Sequence, residues 1–151
     1  MSDVARLAGI ERRTLYRHFP GERDLFLACS GRYWELNPPP AAEQWRSIVD
    51  PEARLRRGLA DLYDFYARTE EMRASALRDA EWDPLTREMV EHRGGPVMAA
   101  IRDVLAEPLR GRRRLAALDL SLDFHAWRRL SRSGLSREEA VETMVRAVLG
   151  Q

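Results

Sequence analysis

Lysine is absent from this 151-residue chain, so all 25 of its basic residues are arginine. The arginines are nearly balanced by 24 acidic residues, and the net charge of +1 gives the chain no bulk basic character. The salt-dependent, non-specific part of any affinity for nucleic acid should therefore be small. Any DNA binding would have to come from a local arrangement of arginines.

Cysteine is almost absent as well. The single Cys29 excludes an internal disulfide and is typical of a reducing compartment. We expect it to be a small buried thiol rather than a redox sensor. No apolar run approaches the length of a transmembrane helix, and the N-terminus lacks the pattern of a signal peptide. These features predict a soluble cytoplasmic protein with no membrane partner.

Motifs for catalysis are also missing. The chain has three histidines and no zinc-hydrolase, phosphate-loop or serine-hydrolase motif. Glu88, Glu91 and His92 fall within one helical turn, but no facing Glu and His set completes a di-metal site. A solvated acidic helix face explains them better. We therefore predict no enzyme activity, no metal and no cofactor.

The hydrophobic pattern has helical periodicity and no strand alternation, so the predicted fold class is all-α. At the N-terminus two short helices are predicted with a tight turn between them. Ser2 can cap the first helix, Gly9 ends it, and Ile10 reaches back into a core. The second helix spans residues 11–18. Helix, glycine turn and short helix are the arrangement of a helix-turn-helix.

The second helix has the side chains that such a motif needs. Leu15 faces inward, and Arg, Thr, Tyr and His side chains face mostly outward. Arginine can bind guanine with two hydrogen bonds or hold a phosphate, and hydroxyls can donate to phosphate oxygens. The alternative is an amphipathic helix pair whose arginines only solvate the surface. The run TLYRHF, followed by Pro20, favours the DNA-binding interpretation.

Three segments resemble the DNA-binding domain of TetR-like (tetracycline-repressor-like) transcriptional regulators: VARLAGI at 4–10, TLYRHFP at 14–20 and DLF at 24–26. The specific match covers about the first fifth of the chain. The resemblance implies a helix-turn-helix head with a linking helix, residues 1–34. A larger helical body, residues 35–151, would then bind an effector and form a homodimer.

The chain departs from the family pattern at three places. The family has a helix before the equivalent of Ser2, where this chain has only Met1. Without that helix, four apolar side chains should lose one wall of their core and stay wet. They are Val4, Leu7, Leu15 and Phe19.

The other two departures are acidic residues. Glu11 stands where the family often has a Ser or Thr cap, and Glu caps a helix poorly. Glu22 stands where a phosphate-binding Lys is common, and Arg23 can take over that contact. The predicted DNA-binding residues are Arg12, Arg13, Thr14, Tyr16, Arg17, His18 and Arg23.

Helices are predicted along the rest of the chain from caps, prolines, glycines and apolar spacing. The linking helix should span 21–34, and its inward residues are Leu25, Phe26, Ala28, Cys29 and Tyr33. Residues 41–49 form a loop or short turn. The body helices should span 50–68, 70–79, 84–92, 96–108, 115–131 and 136–149. Ser136 with Glu139 makes a capping box for the last of these helices.

Aromatic and histidine side chains are frequent in the body. A cavity between helices, lined by aromatic groups with a few polar ones, is a common small-molecule site. For each residue alone, ordinary core packing is the better explanation. The family resemblance implies a pocket for a hydrophobic or aromatic effector. Its predicted lining is Tyr63, Tyr66, Trp82, His92, Phe124 and His125.

The last two long helices form a hairpin with wide apolar stripes. In TetR-like proteins this hairpin pairs with its twofold mate, whereas in a monomer the same stripes would pack on their own body. The predicted dimer residues are Leu118, Leu122, Trp127, Val141, Met144, Val145 and Val148.

The sequence therefore predicts a TetR-like regulator that binds a double-stranded operator, most simply a repressor released by a small molecule. The competing hypothesis is a helical dimer that binds small molecules or proteins and does not bind DNA in this form. An upstream coding extension with an amphipathic helix would favour the regulator.

Overall fold

The computed structural model describes residues 2–9 and 11–150, without the side chains of Ser2 and Asp3. Within these residues the chain forms helices and no strand, which confirms the all-α prediction. The helices are α1 (Ser2–Leu7), α2 (Arg12–His18), α3 (Glu22–Leu36), α4 (Pro51–Asp79), α5 (Pro84–Ala106), α6 (Arg112–Leu122), α7 (Phe124–Arg132) and α8 (Arg137–Leu149), with a 3-10 helix at Ala42–Ser47.

The chain divides into two compact units. We call Met1–Asn37 the head and Pro38–Gln151 the body. In the body, α4 packs against α5, α6, α8 and the 3-10 helix, while α6 packs on α8. Leu55, Leu59 and Leu62 are completely buried at helical spacing along α4, so this helix forms the centre of the body core.

Helix α4 begins where its sequence predicts. Asp50 accepts a hydrogen bond from the backbone N–H of Ala53 at 2.7 Å, and Pro51 occupies the first turn. The predicted end near residue 68 is wrong, because the helix continues to Asp79 as the longest of those described. Thr69 is buried and donates its hydroxyl to the Phe65 carbonyl at 2.7 Å. Glu70, predicted to open a new helix, instead pairs with Arg128 at 2.9 Å.

Helix α5 is also longer than predicted. Two helices were expected, at 84–92 and 96–108, with a break between them. The structure has one helix that continues through Gly94, Gly95 and Pro96. Relative to alanine, a helix-interior glycine costs about 1 kcal/mol and proline about 3 kcal/mol. Tertiary packing of the two ends of α5 therefore outweighs a strong local preference to stop.

The helix predicted at 115–131 is interrupted at Asp123, which has extended backbone dihedral angles (φ −72°, ψ 130°). Asp123 ends α6 and caps α7, since its carboxylate accepts the Ala126 N–H at 2.7 Å. Tyr63 donates its hydroxyl to the Ser121 carbonyl at 3.0 Å, and Tyr66 donates to the Leu122 carbonyl at 2.6 Å. The break is stabilised by α4, whose distance along the chain hides it from local sequence reasoning.

The predicted capping box of α8 is confirmed. Ser136 accepts from the Glu139 N–H at 3.2 Å, and Glu139 accepts from the Ser136 N–H at 2.8 Å. We expect Ser136→Ala to lower the free energy of unfolding by about 1 kcal/mol. Urea denaturation followed by circular dichroism measures the change. Ser131→Ala, an exposed serine in α7, is the control and should change stability by less than about 0.5 kcal/mol. Equal effects of the two variants would contradict a capping role.

Candidate nucleic-acid interface

The head contains the predicted helix, turn and helix. Near the end of α1, Ala8 donates its backbone N–H to the Val4 carbonyl at 2.9 Å. Gly9 follows with φ +66°, the left-handed conformation that glycine adopts without strain. The predicted roles of Ile10 and of the Ser2 side chain lie outside the described part of the chain. The turn at Gly9 separates α1 from α2 as the sequence predicts.

Helix α2 begins without a side-chain cap. Glu11 occupies the N-cap position with φ −66° and ψ 139°, but its carboxylate makes no capping hydrogen bond. The poor cap predicted for Glu11 is therefore confirmed. The first N–H groups of α2 have no side-chain acceptor at the N-cap, so they can meet an anion such as a DNA phosphate.

The two faces of α2 differ in character. Leu15 is buried, as is Ala5 of α1, so these two side chains belong to the small core of the head. The opposite face is polar, with Thr14 half-buried. The exposed residues there are Arg12, Arg13, Tyr16, Arg17 and His18. Six of the seven predicted DNA-binding residues thus lie on one short helix.

Two of these side chains are already paired. The Arg12 guanidinium lies 5.3 Å from the centre of the Tyr16 ring and reaches its hydroxyl at 3.4 Å. This cation–π contact between residues four apart orders both groups on the surface. A phosphate or base edge meeting this face would meet Arg12 and Tyr16 together.

Arg13 and Arg17 behave differently. They are also four residues apart, so their like charges share one helix face. Neither side chain makes a hydrogen bond or ion pair with any residue that the structure describes. This repulsion is unfavourable in the free protein and is relieved by a bound anion. The pair is the strongest electrostatic indication of a phosphate or guanine contact in the head.

Arg23, the seventh predicted DNA contact, lies in the first turn of α3 and is exposed. Glu22 precedes it and is also exposed, so its negative charge lies next to the predicted phosphate contact. Asp24 accepts the Gly21 backbone N–H at 3.0 Å and so orders the start of the helix. Arg23 therefore lies in the first turn of α3, with Glu22 before it and Asp24 after it in sequence.

Apolar surface is exposed in the head, as predicted for part of the set. Leu7 is 80% exposed and Val4 39% exposed, while Phe19 is half-buried. The prediction is wrong for Leu15, which α2 keeps inside. The separate prediction that Cys29 is a buried thiol is also wrong, since the thiol is exposed. Cys29 and its neighbour Ala28 lie on the outer side of α3, whereas Leu25, Phe26 and Tyr33 are half-buried.

The predicted effector residues fall into two groups. Tyr63, Tyr66 and Phe124 come together in the body core, with Tyr66 and Phe124 edge to face at 5.4 Å between ring centres. His125 is exposed but touches Phe124, at 5.5 Å between rings. We call these four residues with Trp127 the aromatic cluster.

Trp82 and His92 lie elsewhere. Trp82 is 75% exposed and donates its indole N–H to the Arg78 carbonyl at 2.7 Å. His92 is exposed on α5. The structure therefore brings four of the six predicted effector residues together and leaves these two at the surface.

Sequence reasoning missed Arg73 as a neighbour of the aromatic cluster. Its guanidinium lies 5.1 Å from the ring centres of Phe65 and Tyr66, and 5.9 Å from that of Phe124. Seven and eight residues separate Arg73 from Tyr66 and Phe65, so helical spacing could have placed them on one face. Burial raises the pKa of the Tyr66 hydroxyl, and that of Tyr63, well above the ordinary value.

All seven predicted dimer residues lie in the interior of the single chain, each at most 9% exposed. They pack between α4, α6, α7 and α8. A buried apolar stripe looks the same in sequence whether its own chain or a second copy covers it. On α6, the large apolar residue left at the surface is Leu120, which is 57% exposed.

No helix in the described part of the chain is long and apolar enough to cross a bilayer. Among those same residues, no three His, Cys, Asp or Glu side chains are grouped to hold a metal ion.

Comparison with known proteins gives one family match. Residues 1–29 match the sequence model of bacterial regulatory proteins of the tetR family. The matched segment includes α1, α2 and the first half of α3. No curated protein and no solved structure matches the chain significantly. The match confirms the resemblance to tetR-family regulatory proteins over residues 1–29, the segment in which the sequence showed it.

Proposed function

We propose that the chain is a one-component repressor whose α2 enters the major groove of an operator. The observation that supports this most is the exposed face of α2, where Arg13 and Arg17 repel each other without a carboxylate partner among the described residues. On DNA, one of them can bind guanine and the other a phosphate. The hydroxyls of Thr14 and Tyr16 are available to phosphate oxygens.

A single head of this size is too small to select one DNA site. Two heads in a symmetric dimer would read half-sites about one helical turn apart and gain both affinity and register. We propose that the C-terminal helices supply the dimer contact. Because the seven predicted side chains are interior, the contact would use the outer faces of these helices, where Leu120 is exposed.

The effector proposal concerns the body. The aromatic cluster and Arg73 would suit a flat hydrophobic molecule, including one with an acidic group. Binding would favour one separation of the two heads over another, as a shift between existing populations. DNA release would follow if the favoured separation does not match the operator. The site of action would be the cytoplasm.

The competing function is a helical dimer that binds small molecules or proteins but not DNA. The exposure of Leu7 and Val4 supports it, because a head with wet apolar surface is less well ordered for DNA recognition. The two functions differ in one measurable property, which is selective DNA binding by this chain.

The deciding experiment measures retention of upstream intergenic DNA and of scrambled DNA by the 151-residue chain across a salt series. We expect selective retention, and a loss of about 10- to 100-fold in Arg13→Ala if this arginine contacts a base. Tyr16→Ala should also weaken binding. Arg57→Ala is the matched control, since Arg57 is exposed on α4 of the body, outside the C-terminal helices, and pairs with Asp61 one turn along the same helix. Equal retention of both DNAs by a folded dimer would favour the competing function.

A further inference from the structure

The middle of α5 contains the residues that helices tolerate least. Gly94, Gly95 and Pro96 are consecutive and lie near the centre of the helix Pro84–Ala106. Proline has no N–H, so the carbonyl four residues earlier, that of His92, loses its helical hydrogen bond. Tertiary packing can hold such a sequence in a helix, but consecutive glycines and a proline remain the point at which a helix bends most easily.

Packing does not require these glycines. A Cβ atom added at Gly94 or Gly95 would meet no heavy atom within 4 Å, and neither residue has a positive φ. Gly58 of α4 is different, because a Cβ there would lie 2.7 Å from a methyl carbon of Leu105. Alanine would therefore fit at 94 and 95 in this conformation and make a better helix.

The two ends of α5 are held separately. In the first half, Thr86 and Met89 are buried, and Asp83 accepts the Thr86 N–H at 2.8 Å. In the second half, Ile101, Val104 and Leu105 are almost completely buried. No residue from 90 to 100 is buried. The weakest sequence of the helix thus lies in a stretch that contains no buried residue.

The second half of α5 also touches the aromatic cluster. Met98, two residues after Pro96, has its sulfur 3.7 Å from the Tyr66 hydroxyl. The same hydroxyl donates to the Leu122 carbonyl at the break between α6 and α7. A bend at Pro96 would therefore be adjacent to the residues that close this side of the cluster.

We propose that residues 94–96 are a hinge, at which the first half of α5 (84–93) swings away from α4. The first half moves because fewer buried side chains hold it. An apolar effector would enter through this opening and hold it in one state, a role that rests on the proposed regulatory function. The hinge itself requires neither DNA nor effector, so it is tested on the free chain.

The test compares wild type with the triple variant Gly94→Ala, Gly95→Ala, Pro96→Ala by hydrogen–deuterium exchange. In wild type, amides of 85–93 should exchange at least about tenfold faster than those of 101–105. The variant should reduce this ratio about tenfold or more. Glu91→Ala, an exposed change in the same half, is the control and should leave the ratio within about twofold.

A side-chain measurement tests the same opening. Met89 is buried in the moving half and Met144 is buried in α8, so their oxidation by dilute hydrogen peroxide can be compared in one sample by mass spectrometry. We expect Met89 to oxidise faster than Met144 in wild type. In the triple variant, the oxidation rate of Met89 should fall about tenfold or more.

Two outcomes would overturn the hinge. One is equal protection of both halves of α5 in wild type, which means that they open only by global unfolding. The other is a variant in which all amides gain protection by the same factor, because this indicates a general gain in helix stability. Neither outcome bears on selective DNA binding, so failure of the hinge and failure of the regulator proposal are distinguishable.

Discussion

With phenylalanine at both position 63 and position 66, the body is expected to lose about 2 to 6 kcal/mol of its free energy of unfolding. The two hydroxyls donate to the carbonyls of Ser121 and Leu122, where α6 ends. Both tyrosines are about 1% exposed, so water does not replace the lost donors at this site. A buried carbonyl left without a donor costs about 1 to 3 kcal/mol.

Urea denaturation of Tyr63→Phe, Tyr66→Phe and the double variant measures this loss. The Leu122 carbonyl has the shorter hydrogen bond, at 2.6 Å, so we expect Tyr66→Phe to be the more harmful single change. Tyr16→Phe, on the exposed face of α2, is the control and should leave the stability of the body unchanged. A double variant within about 0.5 kcal/mol of wild type would contradict the role given to the hydroxyls.

The same hydroxyls predict a dependence on alkaline pH. Burial raises the pKa of Tyr63 and Tyr66 in the folded state above the value of about 10 in the unfolded chain. Below about pH 10, the two hydroxyls are protonated in both the folded and the unfolded state, so they give stability no dependence on pH. Above about pH 10, these hydroxyls ionise in the unfolded chain before they ionise in the folded chain. The free energy of unfolding therefore falls as pH rises. The double variant should lose most of this slope.

Gly58→Val is expected to lower the free energy of unfolding by about 3 kcal/mol through overpacking. A Cβ at position 58 would lie 2.7 Å from one methyl carbon of Leu105 and 3.2 Å from the Trp45 ring. Leu105 and Trp45 are both buried, so neither has free space to move into. Valine adds two further methyl groups at the same contact between α4, α5 and the 3-10 helix.

The matched control for this substitution is Ala67→Val, an exposed position of the same helix. It carries the helix cost of a β-branched residue, well under 1 kcal/mol, without the packing cost. Thermal and urea denaturation of both variants separates the two contributions. A Gly58→Val protein as stable as the control would mean that α4 and α5 are less closely packed than the distances indicate.

Helix starts were predicted well because their signals are local. Asp50 followed by Pro51, and Ser136 followed by Glu139, place the capping groups within one turn of the helix that they start. Helix ends were predicted poorly because distant residues decide them. Gly94 to Pro96 did not end α5, whereas the break at Asp123 is stabilised by tyrosines about 60 residues earlier in sequence.

The same difference between local signals and distant contacts applies to the candidate sites. The polar face of α2 was predicted from residue types and spacing alone, since one short helix carries most of it. The aromatic cluster was predicted in part, because periodicity identifies the buried side of a helix but not its neighbours. Arg73 shows this limit: it lies on α4 beside Phe65 and Tyr66, yet its contact with Phe124 depends on the packing of α7.

Cys29 is exposed on α3 of the head and is the only cysteine of the chain. A thiol-directed spin label would therefore attach at one position in each copy, without any engineered cysteine. In a twofold dimer, pulsed electron–electron double resonance would then give one distribution of distances between the labels on the two heads. Operator DNA should narrow that distribution, and a releasing effector should move its maximum. The proposed regulatory mechanism would then be observed as a change in one measured distance.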